Sequence, residues 1–197
     1  GLLTLNADIS ADGAVTQNGA ATVTIAAPRN ITTTSDAVNF LRAVRLNGGA
    51  SGLVNIDTRI GGGAGGDITF QSTLDATTAA PNAETLTLNA GTGGNMLFTG
   101  AVGSGTRLGA INITNANNVT ESSGITAASL TQAAGQGTTT FNGAVNTNTA
   151  TGVNLTGNAQ TVNAGITTTG NGIVTFSNAG LLTLNADISA DGAVTQN

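Results

Sequence analysis

The chain has 197 residues, a formal net charge of −5 and only 8 % charged residues, and its five Phe are its only aromatic residues. It contains no Cys, His or Lys, which excludes a disulfide framework and thiolate chemistry. Five scattered Arg do not make the basic patch that nucleic acid requires. No apolar run approaches the ~18 to 20 residues that would span a bilayer, so no membrane span is expected in this segment.

The first 18 residues of the chain recur without one change at residues 180–197, which gives a period of 179. Such self-similarity is the signature of an architecture whose units stack on copies of themselves. We therefore expect residues 1–179 to be one full repeat module and residues 180–197 to begin the next. Gly1 and Asn197 are expected to be cut from a longer array.

Short strands with an apolar, polar, apolar pattern follow one another along the chain. One class ends in Phe or Gln, at 14–17, 37–40, 67–70, 95–98, 138–141 and 173–176. A second class lies at 23–25, 54–56, 86–88, 111–113, 153–155 and 182–184, and a weaker third class at 8–10, 30–32, 58–60, 118–120, 165–167 and 187–189. The period-two alternation predicts one buried and one solvated face, and Asn-Gly steps between strands predict corners.

The spacing of the Phe class predicts a coil. Its members recur at Gln17, Phe40, Phe70, Phe98, Phe141, Phe176 and Gln196, which gives six units per period. Three short strands in ~20 to 30 residues match one coil of a parallel β-helix (β-solenoid). We therefore predict about six three-strand coils per 179-residue repeat, with an extra coil or a protruding loop in the long interval from Phe98 to Phe141. Tandem β-sandwiches of ~90 residues, joined by Asn-Gly hairpins, are the alternative.

Several phrases resemble the repeats of large bacterial exoproteins of the filamentous haemagglutinin type: Gly172-Ile-Val-Thr-Phe176, Gly137-Thr-Thr-Thr-Phe-Asn-Gly-Ala-Val145 and Leu86-Thr-Leu-Asn-Ala-Gly91. The resemblance covers the whole chain. It implies a right-handed parallel β-helix that is exported from a bacterium and used as an adhesin or surface fibre. The perfect duplication departs from that family, in which repeats usually drift.

Carboxylates are the candidates for catalysis, namely Asp8, Asp12, Asp57, Asp67, Asp75, Asp187 and Asp191. A pair of them is what a glycosidase needs. Most, however, stand beside Gly or Asn at predicted corners, where Asp favours turns. We therefore predict that the chain is not an enzyme and carries no catalytic residue.

Asp67 is a weak candidate for a metal ligand. The segment Gly62-Gly-Ala-Gly-Gly-Asp67-Ile-Thr-Phe70 approaches a calcium-binding nonapeptide, but Thr69 stands where a large apolar residue belongs and no second copy adjoins it. A glycine corner is the simpler interpretation, and we predict no metal and no cofactor.

Phe40, Phe70, Phe98, Phe141 and Phe176 are predicted to form a structural ladder inside the coil, rather than a ligand platform. Asn and Thr at matching places of successive coils are candidates for hydrogen-bonded ladders. Arg42 and Arg45 are expected on the surface, solvated or facing an acidic neighbouring fibre.

These features together predict an extracellular or cell-surface structural and adhesive module of a bacterial fibre. Its partners would be adjacent identical repeats, lateral fibre contacts and host or cell-surface glycans, with no nucleic acid. A calcium-stiffened or glycan-binding stalk module is the alternative function, and a polysaccharide-cleaving β-helix enzyme is the third.

Overall fold

Short strands fill the part of the chain that the computed structural model describes, residues 2–49, 52–79 and 83–197. In chain order they are β1 (Leu3–Leu5), β2 (Ile9–Ala11), β3 (Val15–Gln17), β4 (Val23–Ala26), β5 (Arg29–Thr33), β6 (Val38–Phe40), β7 (Val44–Asn47), β8 (Leu53–Asp57), β9 (Ile68–Phe70), β10 (Leu74–Ala76), β11 (Thr85–Asn89), β12 (Met96–Phe98), β13 (Leu108–Asn115), β14 (Val119–Glu121), β15 (Ile125–Gln132), β16 (Thr138–Phe141), β17 (Val145–Thr147), β18 (Val153–Gly157), β19 (Ala159–Val162), β20 (Ile166–Thr168), β21 (Val174–Asn178), β22 (Leu182–Leu184), β23 (Ile188–Ser189) and β24 (Val194–Gln196). Within these ranges, no helix is long and apolar enough to cross a membrane.

Each strand pairs in parallel with the equivalent strand of the next turn. The strands stack into three sheets, which we call sheets 1, 2 and 3. Sheet 1 holds β1, β4, β7, β10, the bridging residue Val102, the first half of β15, β17, β20 and β23. Sheet 2 holds β2, β5, β8, β11, β13, the second half of β15, β18, β21 and β24, and sheet 3 holds β3, β6, β9, β12, β14, β16, β19 and β22.

The chain is therefore a β-solenoid of about nine turns, and the predicted parallel β-helix is confirmed. The right-handed sense of winding stays a prediction. The sandwich alternative required antiparallel neighbours, whereas the named strands pair in parallel, as β6 does with β9 and β9 with β12.

There are more turns than the six predicted per repeat. Equivalent inward positions of sheet 3 are Gln17, Phe40, Phe70, Phe98, Glu121, Phe141, Val162 and Leu184. The Phe spacing undercounted the turns because Glu, Val and Leu take the same inward position in other turns. Glu121 marks the extra coil in the long interval between Phe98 and Phe141.

The core is a thin column of inward side chains. In β4, Val23 and Ile25 are fully buried, whereas Thr24 between them points outward and is half-buried. The same pattern recurs in β9, where Ile68 and Phe70 flank Thr69. Each fully buried apolar side chain contributes about 1.5–3 kcal/mol relative to exposure. Since the turns between the two ends supply such side chains from all three sheets, the core is continuous along the axis.

Tight corners allow turns to lie directly on one another. Gly65 has a φ of +89°, and a Cβ there would lie 1.9 Å from the carbonyl oxygen of Ala90 in the next turn. Gly152 has a φ of +60° and would place a Cβ 2.0 Å from the carbonyl oxygen of Ile173. A side chain would clash at both places, and only glycine adopts this backbone readily.

The two copies of the duplicated segment fold alike but lie on different sheets. In the first copy β1, β2 and β3 belong to sheets 1, 2 and 3. In the second copy the same sequences form β22, β23 and β24, which belong to sheets 3, 1 and 2. Each of the three strand sequences is thus accepted by two different sheets.

Candidate functional site

Inward side chains of successive turns lie in register, and three of the Phe side chains stack on one another within this column. Phe40, Phe70 and Phe98 occupy the same inward position of successive turns in sheet 3, and each is at most 2 % exposed. The ring centroids of Phe40 and Phe70 are 5.2 Å apart with planes 13° from parallel. Those of Phe70 and Phe98 are 5.5 Å apart with planes 3° from parallel. Parallel in-register pairing therefore produces an aromatic stack along the axis.

A buried carboxylate separates this stack from the fourth Phe. Glu121 pairs with Phe98 on one side and with Phe141 on the other, and its side chain is fully buried. Its carboxylate accepts hydrogen bonds from the backbone N–H groups of Ser123, Gly124 and Gly143. A buried carboxylate is tolerated when backbone N–H groups donate to its oxygens. Glu121 therefore holds together the backbone of the corner between sheets 3 and 1.

The fifth Phe lies on another sheet. Phe176 belongs to β21 in sheet 2, where its neighbours in register are Leu155 and Gln196. It is 1 % exposed. All five Phe are thus buried in the column, but only three of them stack ring on ring.

Glu84 forms a second buried carboxylate site. Its side chain is fully buried just before β11. One carboxylate oxygen accepts hydrogen bonds from the backbone N–H groups of Gly48 (2.8 Å) and Gly49 (3.0 Å), in the preceding turn. The other accepts the backbone N–H groups of Thr77 and Thr78, both at 3.2 Å. The Thr78 hydroxyl adds a bond of 2.9 Å.

The electrostatics of Glu84 follow from these donors. Burial raises the pKa of the carboxyl group, but hydrogen bonds from the backbone N–H groups of Gly49, Gly48 and Glu84 itself and from the Thr78 hydroxyl together outweigh burial and hold the pKa below the ordinary Glu value. Glu84 is therefore an ionised clamp between adjacent turns. No sequence motif marks it, because its donors come from corners that are far apart in the chain.

The carboxylates considered for catalysis are spread along the solenoid. Most of them accept hydrogen bonds at corners: Asp8 from Asn30, Asp12 from Thr34, Asp57 from Arg59 and Asn89, Asp67 from Asn95, Asp75 from Gly105 and Thr106, and Asp191 from Asn171. Asp187 lies before β23, where its carbonyl accepts the N–H of Ile166. The backbone N–H of Asn30 is the largest cause of the lowered pKa of Asp8. Across residues 2–49, 52–79 and 83–197, no three Asp or Glu side chains are grouped as a metal site would need.

Asp67 takes part in a polar ladder at the corner between sheets 2 and 3. Its Oδ1 accepts the backbone N–H of Asn95 at 2.7 Å and the Asn95 side-chain amide at 3.1 Å. Asn95 Oδ1 in turn accepts the side-chain amide of Asn118 at 2.9 Å, and Asn118 Oδ1 accepts the N–H of Thr138 at 2.8 Å. One acceptor per turn thus links four successive turns.

Another amide ladder lies at the corner between sheets 3 and 1. The side-chain amide of Asn163 donates to Asn142 Oδ1 at 2.8 Å, and that of Asn185 donates to Asn163 Oδ1 at 2.7 Å. The predicted Asn ladders are therefore present at both corners. They fix the register of neighbouring turns from outside, as the apolar column does from inside.

Arginines occupy two kinds of position. Arg42 and Arg45 are exposed, and Arg45 stands beside Asp75 in the register of β7 and β10. Arg107 instead reaches over two turns: its guanidinium donates to the carbonyl of Ala127 at 2.7 Å and to Asn146 Oδ1 at 2.7 Å. Partial burial lowers the pKa of Arg107. Its side chain thus links three successive turns along the outside of the stack.

The corner between sheets 2 and 3 also carries an open depression of about 560 Å³. Small and amide-bearing residues of three successive turns line it, among them Ala133, Gln136, Gly157, Asn158 and Ala179. It is open to solvent and extends over these three turns.

Comparison with known proteins adds no relative. No family model matches the chain, and neither a curated protein nor a solved structure gives a match.

Proposed function

We propose that the chain is a structural and adhesive module of an extracellular bacterial fibre, in which copies continue one another as a single solenoid. The main support for this proposal is the position of the two copies of the duplicated segment in the stack. The same 18 residues supply the turn that begins the described stack and most of the turn that ends it, in each case as three strands with free edges. One sequence can therefore stack on the turn that follows it and on the turn that precedes it, as copies joined in a continuous solenoid must.

The exposed apolar residues support extension at the ends. Leu3 is 43 % exposed in the first turn, and Leu184 and Val194 are 47 % and 55 % exposed in the last. Their counterparts one or two turns inward, such as Val23 and Val174, are fully buried. A further turn at either end would bury these side chains and pair the open strand edges.

The outer surface suits repeated weak contacts. Each sheet presents rows of Thr and Asn, such as Thr140, Thr161 and Thr183 in sheet 3. Such rows provide hydroxyl and amide groups at a regular spacing of ~4.8 Å along the axis. Lateral contacts between fibres and binding of cell-surface glycans both use groups of this kind.

The structural half of the proposal is tested by length. Chains of one, two and four copies of residues 1–179 should appear in electron micrographs as rods that lengthen by about 35–40 Å per copy, because each repeat spans seven to eight turns at the usual strand spacing. Separate beads, one per copy, would contradict it.

The adhesive half is tested separately with the four-copy rod on a glycan array and on cultured cells. Binding that rises more than proportionally with copy number is expected, since linked weak sites act together. No binding at any copy number would leave a structural module without adhesive function.

A further inference from the structure

Each strand of the second copy of the duplicated segment lies one sheet away from the identical strand of the first copy. This offset determines how successive repeats are wound about the axis. Leu3–Leu5 pairs with β4 in sheet 1, whereas the identical Leu182–Leu184 pairs with β19 in sheet 3. The chain advances by 23 strand positions from β1 to β22. In this count β15 takes two positions, because it lies on two sheets, and Val102 takes the place of a strand in sheet 1. A repeat of 179 residues therefore makes seven and two-thirds turns.

We propose that successive repeats of the array are wound one third of a turn out of phase, so that each sheet of one copy continues as a different sheet of the next. This inference rests on the proposed continuous fibre. Sheet 3 of one copy would be prolonged by the strands that form sheet 1 in the following copy, and three copies would restore the original phase. The partner of the open end is thus a further copy of this chain, docked with a defined rotation.

The same phase determines which inward row Phe176 would share with the next copy. In the first copy Gln17 is followed in its row by Phe40, Phe70 and Phe98. In the second copy the equivalent Gln196 follows Phe176 in sheet 2. Continuing the repeat at this phase puts the next copy's Phe40, Phe70 and Phe98 in the row of Phe176, separated from it by one Gln. Phe176 would thereby lie in the same inward row as the aromatic stack of the next copy.

The local chemistry explains why the offset is tolerated. The three strands of the segment read Leu-Thr-Leu, Ile-Ser-Ala and Val-Thr-Gln, each with inward residues on either side of an outward hydroxyl. Any sheet of the solenoid accepts that pattern. In the first copy the outward residues pair with Thr24, Thr32 and Asn39 of the following turn. In the second copy they pair with Thr161, Thr167 and Thr175 of the preceding turn, so the outward partner is a short polar side chain in both copies.

The offset determines where surface features appear. The long corner at residues 58–67, which carries the exposed Ile60, lies between sheets 2 and 3. In the array it would appear on a different edge of the rod in each of three successive copies. Any partner of this corner would then meet the fibre from three directions.

Because the chain contains no Cys, pairs of introduced Cys residues can be labelled specifically with a fluorophore. Thr161→Cys with Thr183→Cys lies on neighbouring strands of sheet 3. Thr167→Cys with Thr183→Cys is the matched alternative, because an in-phase second copy would put residue 183 next to residue 167 in sheet 1. Both pairs are labelled with pyrene, in the 197-residue chain and in a two-copy chain of residues 1–179 followed by 1–197. Circular dichroism checks that each variant is folded.

We expect an excimer-to-monomer ratio severalfold higher for the 161/183 pair than for the 167/183 pair, in both chains. The pair Thr175→Cys with Thr195→Cys should also give a strong excimer, since these residues are neighbours in sheet 2. A strong excimer for 167/183, or none for 161/183, would overturn the offset. If the two-copy chain is a rod but shows the in-phase result, the proposed function stands and only the offset fails. If it forms two beads, both fail.

Discussion

Phe70 is the residue whose removal measures what the aromatic stack contributes. It is 1 % exposed and has a parallel ring on each side, at centroid distances of 5.2 and 5.5 Å. Truncating a buried Phe to Ala costs about 3–5 kcal/mol. Each aromatic pair adds about 0.5–1.5 kcal/mol beyond the buried area.

Phe141 is the matched control. It is equally buried in the same sheet, but its neighbours in the row are Glu121 and Val162, which carry no ring. Since Phe70→Ala loses two ring pairs that Phe141→Ala does not, it should destabilise its own turns by about 1–3 kcal/mol more.

Native-state hydrogen exchange is the suitable assay, because stacked repeats need not unfold in one step. The opening free energy of the amides of β6, β9 and β12 would be compared between Phe70→Ala and the parent chain, and that of β14, β16 and β19 for Phe141→Ala. Equal losses in the two variants would show that the stacked geometry contributes nothing beyond burial.

Three further substitutions and measurements test the buried carboxylate, the inward position of Phe141 and the open ends of the solenoid. Glu84→Gln should lower the free energy of unfolding at neutral pH. The difference from the parent chain should shrink as the pH falls through the lowered pKa of Glu84, because protonation then removes the charge from the parent as well. A difference that does not change with pH in urea titrations would exclude an ionised Glu84 that links adjacent turns. Phe141→Asp should cost at least about 3 kcal/mol, since it buries an unpaired charge beside Glu121, and an unchanged Tm would mean that Phe141 is not inside. The 197-residue chain should polymerise end to end, as sedimentation would show, and Leu184→Lys with Val194→Lys should suppress this by charging the open edge; a strictly monomeric parent chain at high concentration would count against it.

The strand pattern and the parallel stacking were predictable from the sequence. Alternation in segments such as Val23-Thr-Ile25 requires one inward face, and small β-branched residues with few aromatics suit a thin column. The repeat period showed that units stack on copies of themselves. Local pattern and long-range repetition agreed on the same architecture.

The assignment of strands to sheets was not predictable, because one pattern suits all three sheets. The strands grouped as one class, at 23–25, 54–56 and 182–184, lie on sheets 1, 2 and 3 respectively. Residue type at the end of a strand was also a poor marker, since Glu121 and Val162 take the inward position that Phe holds in other turns.

The buried carboxylates were missed for a related reason. Glu84 and Glu121 are stabilised by backbone N–H groups of corners, and a sequence does not show which corners meet. Their burial depends on the tertiary register, which in turn depends on the number of turns. An acidic residue inside a short apolar segment, as in Val119-Thr-Glu121, is the one signal that the sequence offered.

Through-hydrogen-bond scalar couplings in nuclear magnetic resonance spectra test most directly whether successive turns pair in parallel along one axis. Parallel stacking predicts correlations from the N–H of Val38 to the carbonyl of Asp67, from Ile68 to Asn95 and from Met96 to Asn118, each joining one turn to the next. Correlations between strands that are consecutive in the chain, in the reciprocal pattern of antiparallel hairpins, would contradict it.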